Sequence, residues 1–181
     1  MSHPSVVFKS VFNLQTSVPV IVAVTITCSA CGGEPSASQR RRDVSNLTQT
    51  FPVLEEYQVE AYRYQDWCKN IAYQRGKFSN TDRTTCNLFQ GDPSEFDTQA
   101  QADFDTVAAA IAKSRVKLYY ISGFQYDAQE KLIRAEFHLS GDFNRYSYIY
   151  EPGYSLPEDL AYERHHTAID ENWYFVWEDW N

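Results

Sequence analysis

Arg134, Glu136 and His138 fall two residues apart within the segment LIRAEFHL. In an extended chain this spacing sets all three side chains on one face. A guanidinium, a carboxylate and an imidazole in a row are groups that acid–base chemistry uses, so His138 is a candidate ligand contact. A catalytic part would further require His138 to lie in a concavity. The simpler role of the row is the solvated face of a sheet whose other face is Ile133, Ala135, Phe137 and Leu139. His165 and His166, with Asp170 and Glu171 close behind, make a second set with metal or acid–base potential. Adjacent strand residues point to opposite faces, so at most one of these histidines joins a given cluster. An ordinary hairpin with polar residues near its turn accounts for this set.

The C-terminal run WYFVWEDW is the densest aromatic segment. With Tyr146, Tyr148, Tyr150 and Tyr154 it offers a stacking platform for sugar rings, with Glu178 or Asp179 accepting hydroxyl protons. Tyr146, Tyr148, Trp173, Trp177 and Trp180 are the candidate contacts. A terminal core strand uses the same residue types. Nucleophile, zinc-protease, phosphate-loop and calcium-loop patterns are missing, and seven glycines leave little for a phosphate cradle. No catalytic residue, cofactor or metal site is assigned on these grounds, and a non-enzymatic role is expected.

The four cysteines form two pairs of different meaning. Cys68 and Cys86 have no histidine near them, which argues against zinc. In an oxidising compartment they read as a disulfide. Cys28 and Cys31 belong instead to an uncharged stretch, residues 10–33, with Lys9 before it and the apolar core VPVIVAVTI inside it. A basic flank, a short apolar core and small residues at Ser29-Ala30 are what an export signal needs. The core is shorter than the roughly 20 apolar residues of a spanning helix. Cys28-Ser29-Ala30-Cys31, with a Gly/Pro/Ser tract behind it, resembles the processing site of a bacterial lipoprotein precursor. That resemblance covers about residues 1–38. It implies that Cys31 is lipidated and that the protein is held at a membrane on its extracytoplasmic side. A cleaved secretory signal, a retained anchor, and an internal strand behind a misplaced start share the same composition.

The expected organisation is therefore an export signal over 1–30, a flexible tether over 31–49 and one domain over 50–181. Removing residues 1–31 takes away one lysine and no acid, so the net charge moves from −8 to −9. Such a surface repels phosphate backbones, and nucleic acid is excluded as a partner. An envelope protein or a glycan remains.

Periodicity supplies the elements. Leu54, Tyr57, Ala61, Tyr64, Cys68 and Ile71 recur every three or four residues and predict a helix from about Val53 to Arg75. Phe104, Val107, Ala108 and Ile111 predict a second from about Thr98 to Ser114. From Val116 the period becomes two, giving strands through Phe124, through Leu132–Leu139 and through Arg145–Tyr150, then a hairpin over Tyr162–Ile169 and Trp173–Trp177. The predicted fold is α+β: two N-terminal helices packed on a curved four- to five-stranded antiparallel sheet. This order is similar to that of cystatin-like and nuclear-transport-factor-like cones. Three functions fit it: a tethered binding or structural domain, a small-ligand or enzymatic cone with an aromatic-lined pocket, and carbohydrate binding through the C-terminal aromatics.

Overall fold

The structure, a computed structural model, describes residues 33–81, 86, 88–89, 91–139, 145–161 and 163–179. Cys31, Trp180 and the apolar segment lie outside the described residues. The chain divides after Cys31, and the unit from Gly32 onward is the one described.

Among the described residues three helices and nine strands run in the order α1 (Ala37–Thr48), α2 (Phe51–Tyr57), β1 (Ala61–Gln65), β2 (Cys68–Tyr73), β3 (Gly76–Ser79), β4 (Ser94–Glu95), α3 (Thr98–Lys113), β5 (Leu118–Tyr126), β6 (Leu132–Leu139), β7 (Arg145–Tyr150), β8 (Arg164–Ala168) and β9 (Trp173–Glu178). The strands form one sheet in the order β4-β3-β2-β1-β5-β6-β7-β9-β8. Every pairing is antiparallel except the short β3–β4 contact. The α+β class is as expected. The sheet is about twice as wide as expected, and its additional strands come from residues 61–79 and 94–95.

The first correction concerns residues 37–48, which form a helix rather than part of a tether. Ser36 caps it by accepting the Gln39 N–H at 3.3 Å. Its inward face carries only two large apolar side chains, Val44 and Leu47, and they are joined by Arg40 and Asp43. Buried charges persist only when paired and hydrogen-bonded. Arg40 pairs with Glu34, donates through Nε to the Pro35 carbonyl at 2.9 Å, and lies 3.9 Å from the Phe175 ring centroid. Asp43 accepts the Tyr148 hydroxyl at 2.8 Å. Burial, with this carboxylate as partner, raises the phenol's pKa above its ordinary value.

The second correction concerns the long helix predicted from Val53. Its first turns exist as α2, but Gln58 adopts φ 48°. The Gln58 and Val59 N–H groups close on the Glu55 and Leu54 carbonyls, each at 3.1 Å. A left-handed residue with such bonds ends a helix. Beyond it the chain turns into a hairpin in which Gln65 pairs with Cys68 across Asp66-Trp67. The expected disulfide is present: Cys68 and Cys86 are bonded, with Cα atoms 5.8 Å apart and both residues fully buried. Cys68, however, opens a strand and does not sit on a helix.

α3 matches its expected span. Its cap is Asp97, whose Oδ1 accepts the Ala100 N–H at 2.7 Å. Asp103, buried on its inner face, accepts the Tyr73 hydroxyl at 2.7 Å and Arg75 Nη1 at 3.0 Å. The helices share a core with one face of the sheet, where Leu47, Leu54, Phe104 and Val107 meet Tyr62, Ile71, Ile121, Phe137, Tyr148 and Phe175. The other face carries a cross-strand row running Ser79, Asn70, Arg63, Tyr120, His138, Ser147, Val176 and His166.

Candidate functional site

His138 stands in the middle of that row. Its Nε2 is 3.0 Å from Ser122 Oγ on β5, and its Nδ1 is 2.9 Å from Ser147 Oγ on β7. Tyr120 stacks on the imidazole with centroids 4.0 Å apart, and the His138 side chain is 18% exposed. The companion residues of the predicted row are also here. Arg134 pairs with Glu136 and reaches Glu151 at 3.4 Å. Gly123 makes this approach possible: it sits at φ 64° in an irregular part of β5, and a Cβ there would lie 2.8 Å from Arg134 Nη1. Irregular strand positions that admit a close side chain favour glycine.

The geometry decides what His138 can do. In a serine–histidine–acid relay the carboxylate holds the ring nitrogen opposite the serine. Here Glu136 Oε2 lies 3.7 Å from Nε2, the nitrogen that already faces Ser122, and the opposite nitrogen faces a second serine. Burial outweighs the nearby Glu136 and Glu178 carboxylates and pushes the imidazole down to about 4. A neutral ring with so low a pKa is a weak base at neutral pH. It acts instead as a clip joining three strands, one nitrogen donating and the other accepting.

This carries a pH consequence. The unfolded chain takes up a proton at this histidine near its ordinary 6.5, whereas the folded chain refuses it until about 4. Its contribution to stability is complete above about 6.5 and declines as pH falls toward 4. NMR titration of the His138 ring is expected to give a midpoint near 4, with the denaturant midpoint falling over the same interval. A ring midpoint at or above 6.5 would contradict this.

His165 and His166 depart from expectation in a different way. Both reach one carboxylate, Asp159, which lies outside the strand and carries no mark in the sequence pattern. Asp159 Oδ2 is 3.2 Å from His165 Nδ1, and Oδ1 is 3.4 Å from His166 Nδ1. Oδ1 also accepts the His166 backbone N–H at 2.7 Å. These bonds, the backbone one foremost, hold the Asp159 carboxyl below its ordinary value. Opposite-facing side chains can share a partner here because the partner sits at the sheet's edge, where β8 has no further neighbour among the described residues. Leu160 continues the contact by exchanging backbone bonds with Arg164 at 2.9 and 3.0 Å. Asp170 and Glu171 take no part in this cluster. Asp170 builds the β8–β9 turn, its Oδ1 accepting the N–H groups of Asn172 and Trp173. Among the described residues no three His, Cys, Asp or Glu side chains gather to hold a metal ion.

The aromatic platform loses three of its members to the core. Tyr146, Tyr148 and Trp173 are core residues, buried on the helix-facing side of the sheet. Trp177 is half-buried and stacks on His165 with centroids 4.8 Å apart. Trp180 lies outside the described residues. Alternation places Trp173, Phe175 and Trp177 together, and the helices cover that set.

A cleft of about 470 Å³ opens between α1 and the β8–β9 turn. Arg41, Val44, Ser45 and Thr48 form one wall, and Ile169, Asp170, Asn172 and Trp173 form the other. The first wall escapes sequence reasoning because residues 31–49 read as a tether. One signal does mark it: Ser36 and Gln39 have the spacing of a helix-capping pair. No protein-family model matches this chain, and no curated protein or solved structure matches it either.

Proposed function

We propose that this protein is an exported domain, tethered to a membrane through Cys31, that works by binding rather than catalysis. The observation that carries the reading is the buried Cys68–Cys86 disulfide, which belongs with oxidising compartments, behind a segment with the pattern of an export signal. The hydroxyl-saturated, low-pKa imidazole of His138 supports binding over acid–base catalysis. The α1 cleft supports binding over a purely structural role. Three helices on one face of a long sheet are compatible with the cone architecture, although the ligand space lies beside the helix layer and not within an aromatic-lined interior.

The test is the intact mass of the protein recovered from membranes of its native host, with thiol alkylation before and after reduction. The expected result is a mass beginning at Cys31 plus acyl groups, with Cys68 and Cys86 alkylated only after reduction. A full-length mass with thiols that react directly would overturn the reading.

A further inference from the structure

We infer that the cleft between α1 and the β8–β9 turn binds a short amphipathic carboxylic acid, with an aromatic or branched body and a hydrogen-bond donor at its far end. This deepens the binding reading above and rests on it. The volume, about 470 Å³, lies within the range of small-molecule sites, roughly 300–1,000 Å³. A folded partner or a polymer needs a larger surface.

The polarity of the ligand is set by the lining. Arg41, Val44, Ser45 and Thr48 recur every three or four residues and form one stripe of α1. Each neighbouring arginine is tied within the helix region, Arg40 to Glu34 and Arg42 to Gln39 Oε1 at 2.7 Å. Among the described residues no ion pair engages Arg41, and its side chain is exposed at the cleft. A guanidinium so placed suits a carboxylate, which it can grip through two parallel hydrogen bonds. Half-buried Ile169 offers the apolar contact for the body, and Val44 and Trp173, each 3% exposed, add only their edges. Thr48 lies seven residues further along the stripe, about 10 Å at 1.5 Å per residue. There the Thr48 hydroxyl donates to the Val44 carbonyl at 2.9 Å, which leaves its oxygen to accept. Asp170 adds a carboxylate to the opposite wall.

The far wall is built before a ligand arrives. Asp170 Oδ1 holds the Asn172 and Trp173 N–H groups at 2.8 and 2.9 Å, and the Asp170 carbonyl accepts the Tyr154 hydroxyl at 2.9 Å. Preorganisation of this kind lowers the ordering cost of binding.

The experiment is a proton–nitrogen NMR titration of the full chain with 4-hydroxyphenylacetate, with 4-hydroxyphenylacetamide as the uncharged control. Saturable shifts confined to Ser45, Thr48, Asn172 and Trp173 are expected, with a Kd of about 1 mM or tighter. Arg41→Gln and the amide control are each expected to weaken binding about tenfold or more. Ser45→Trp, which fills the cleft from an exposed position, is expected to abolish it. Unchanged thermal melting would show that both variants fold. Non-saturating shifts, shifts scattered outside the cleft, equal binding of the amide, or an unaffected Arg41→Gln would overturn the inference. Failure here with the mass result intact removes the cleft and leaves export standing. Binding here together with a full-length, thiol-reactive mass does the reverse.

Discussion

Replacing Leu47 by alanine is expected to destabilise the protein by about 2–5 kcal/mol, the range for truncating a buried leucine in a core that cannot collapse around the gap. Leu47 is fully buried, and it belongs to the same cluster as Phe51, Phe104, Phe137 and Phe175. The substitution keeps helix propensity high, so the loss reports packing and not the helix itself. An exposed position in the same helix, Ser38, is the control, and Ser38→Ala is expected to change stability by no more than about 0.5 kcal/mol. Denaturant unfolding measures both. An effect of Leu47→Ala no larger than that of the control would return residues 37–48 to the status of a linker.

The second large effect is expected from the double substitution Cys68→Ala, Cys86→Ala. The bond closes a loop with a sequence separation of 18. In the chain-entropy description such a closure contributes about 3 kcal/mol. At roughly 2–4 °C per kcal/mol for a domain of this size, thermal melting is expected about 6–12 °C lower. The loss has a local component as well. The Cys86 carbonyl accepts from Arg63 Nη1 at 3.0 Å, and burial already lowers the Arg63 pKa. Releasing residue 86 takes an acceptor away from that buried guanidinium, which is costly in a way that the loss of an exposed partner is not. Hydrogen exchange is therefore expected to accelerate first in β1 and β2. Identical melting of the oxidised protein and the double variant would contradict the assignment of this bond as a main constraint.

The second half of the fold is legible in the sequence because each element there keeps to one apolar period. Phe104, Val107 and Ile111 mark α3, and Ala135 and Phe137, alternating with half-buried Glu136 and His138, mark β6, whereas β7 is buried on both faces from Tyr146 to Ile149. The first half misleads for two physical reasons. In α1 the inward stripe includes Arg40 and Asp43, whose partners include groups far along the chain, Phe175 and Tyr148. No hydropathy pattern can register a buried charge that is completed in part by a contact more than a hundred residues away. Between Leu54 and Ile71 the apolar residues also satisfy helical spacing, although in the strands Ala61 and Cys68 lie on the face opposite Tyr62 and Ile71. The choice falls to Gln58, whose left-handed backbone ends the helix without a glycine to announce it. The same distinction holds for the site. His138 is visible as a member of a row, but its saturation by Ser122 and Ser147 requires the register of three strands. Asp159 lies outside any periodic segment, and its role emerges only once β8 is known to end the sheet among the described residues.

Asp159 also bears on how this protein behaves when crowded. The outer rim of a sheet is a row of amide groups that another extended chain can adopt as a template, the first step toward fibrous self-association. Along β8 the outward N–H of His166 is already taken by the Asp159 carboxylate, and that of Arg164 by the Leu160 carbonyl. A strand arriving from a neighbouring molecule would meet a negative charge and a folded-back loop where it needs two free donors. Where copies crowd together and meet edge to edge far more often than in dilute solution, this short stretch of chain guards the β8 side of the sheet.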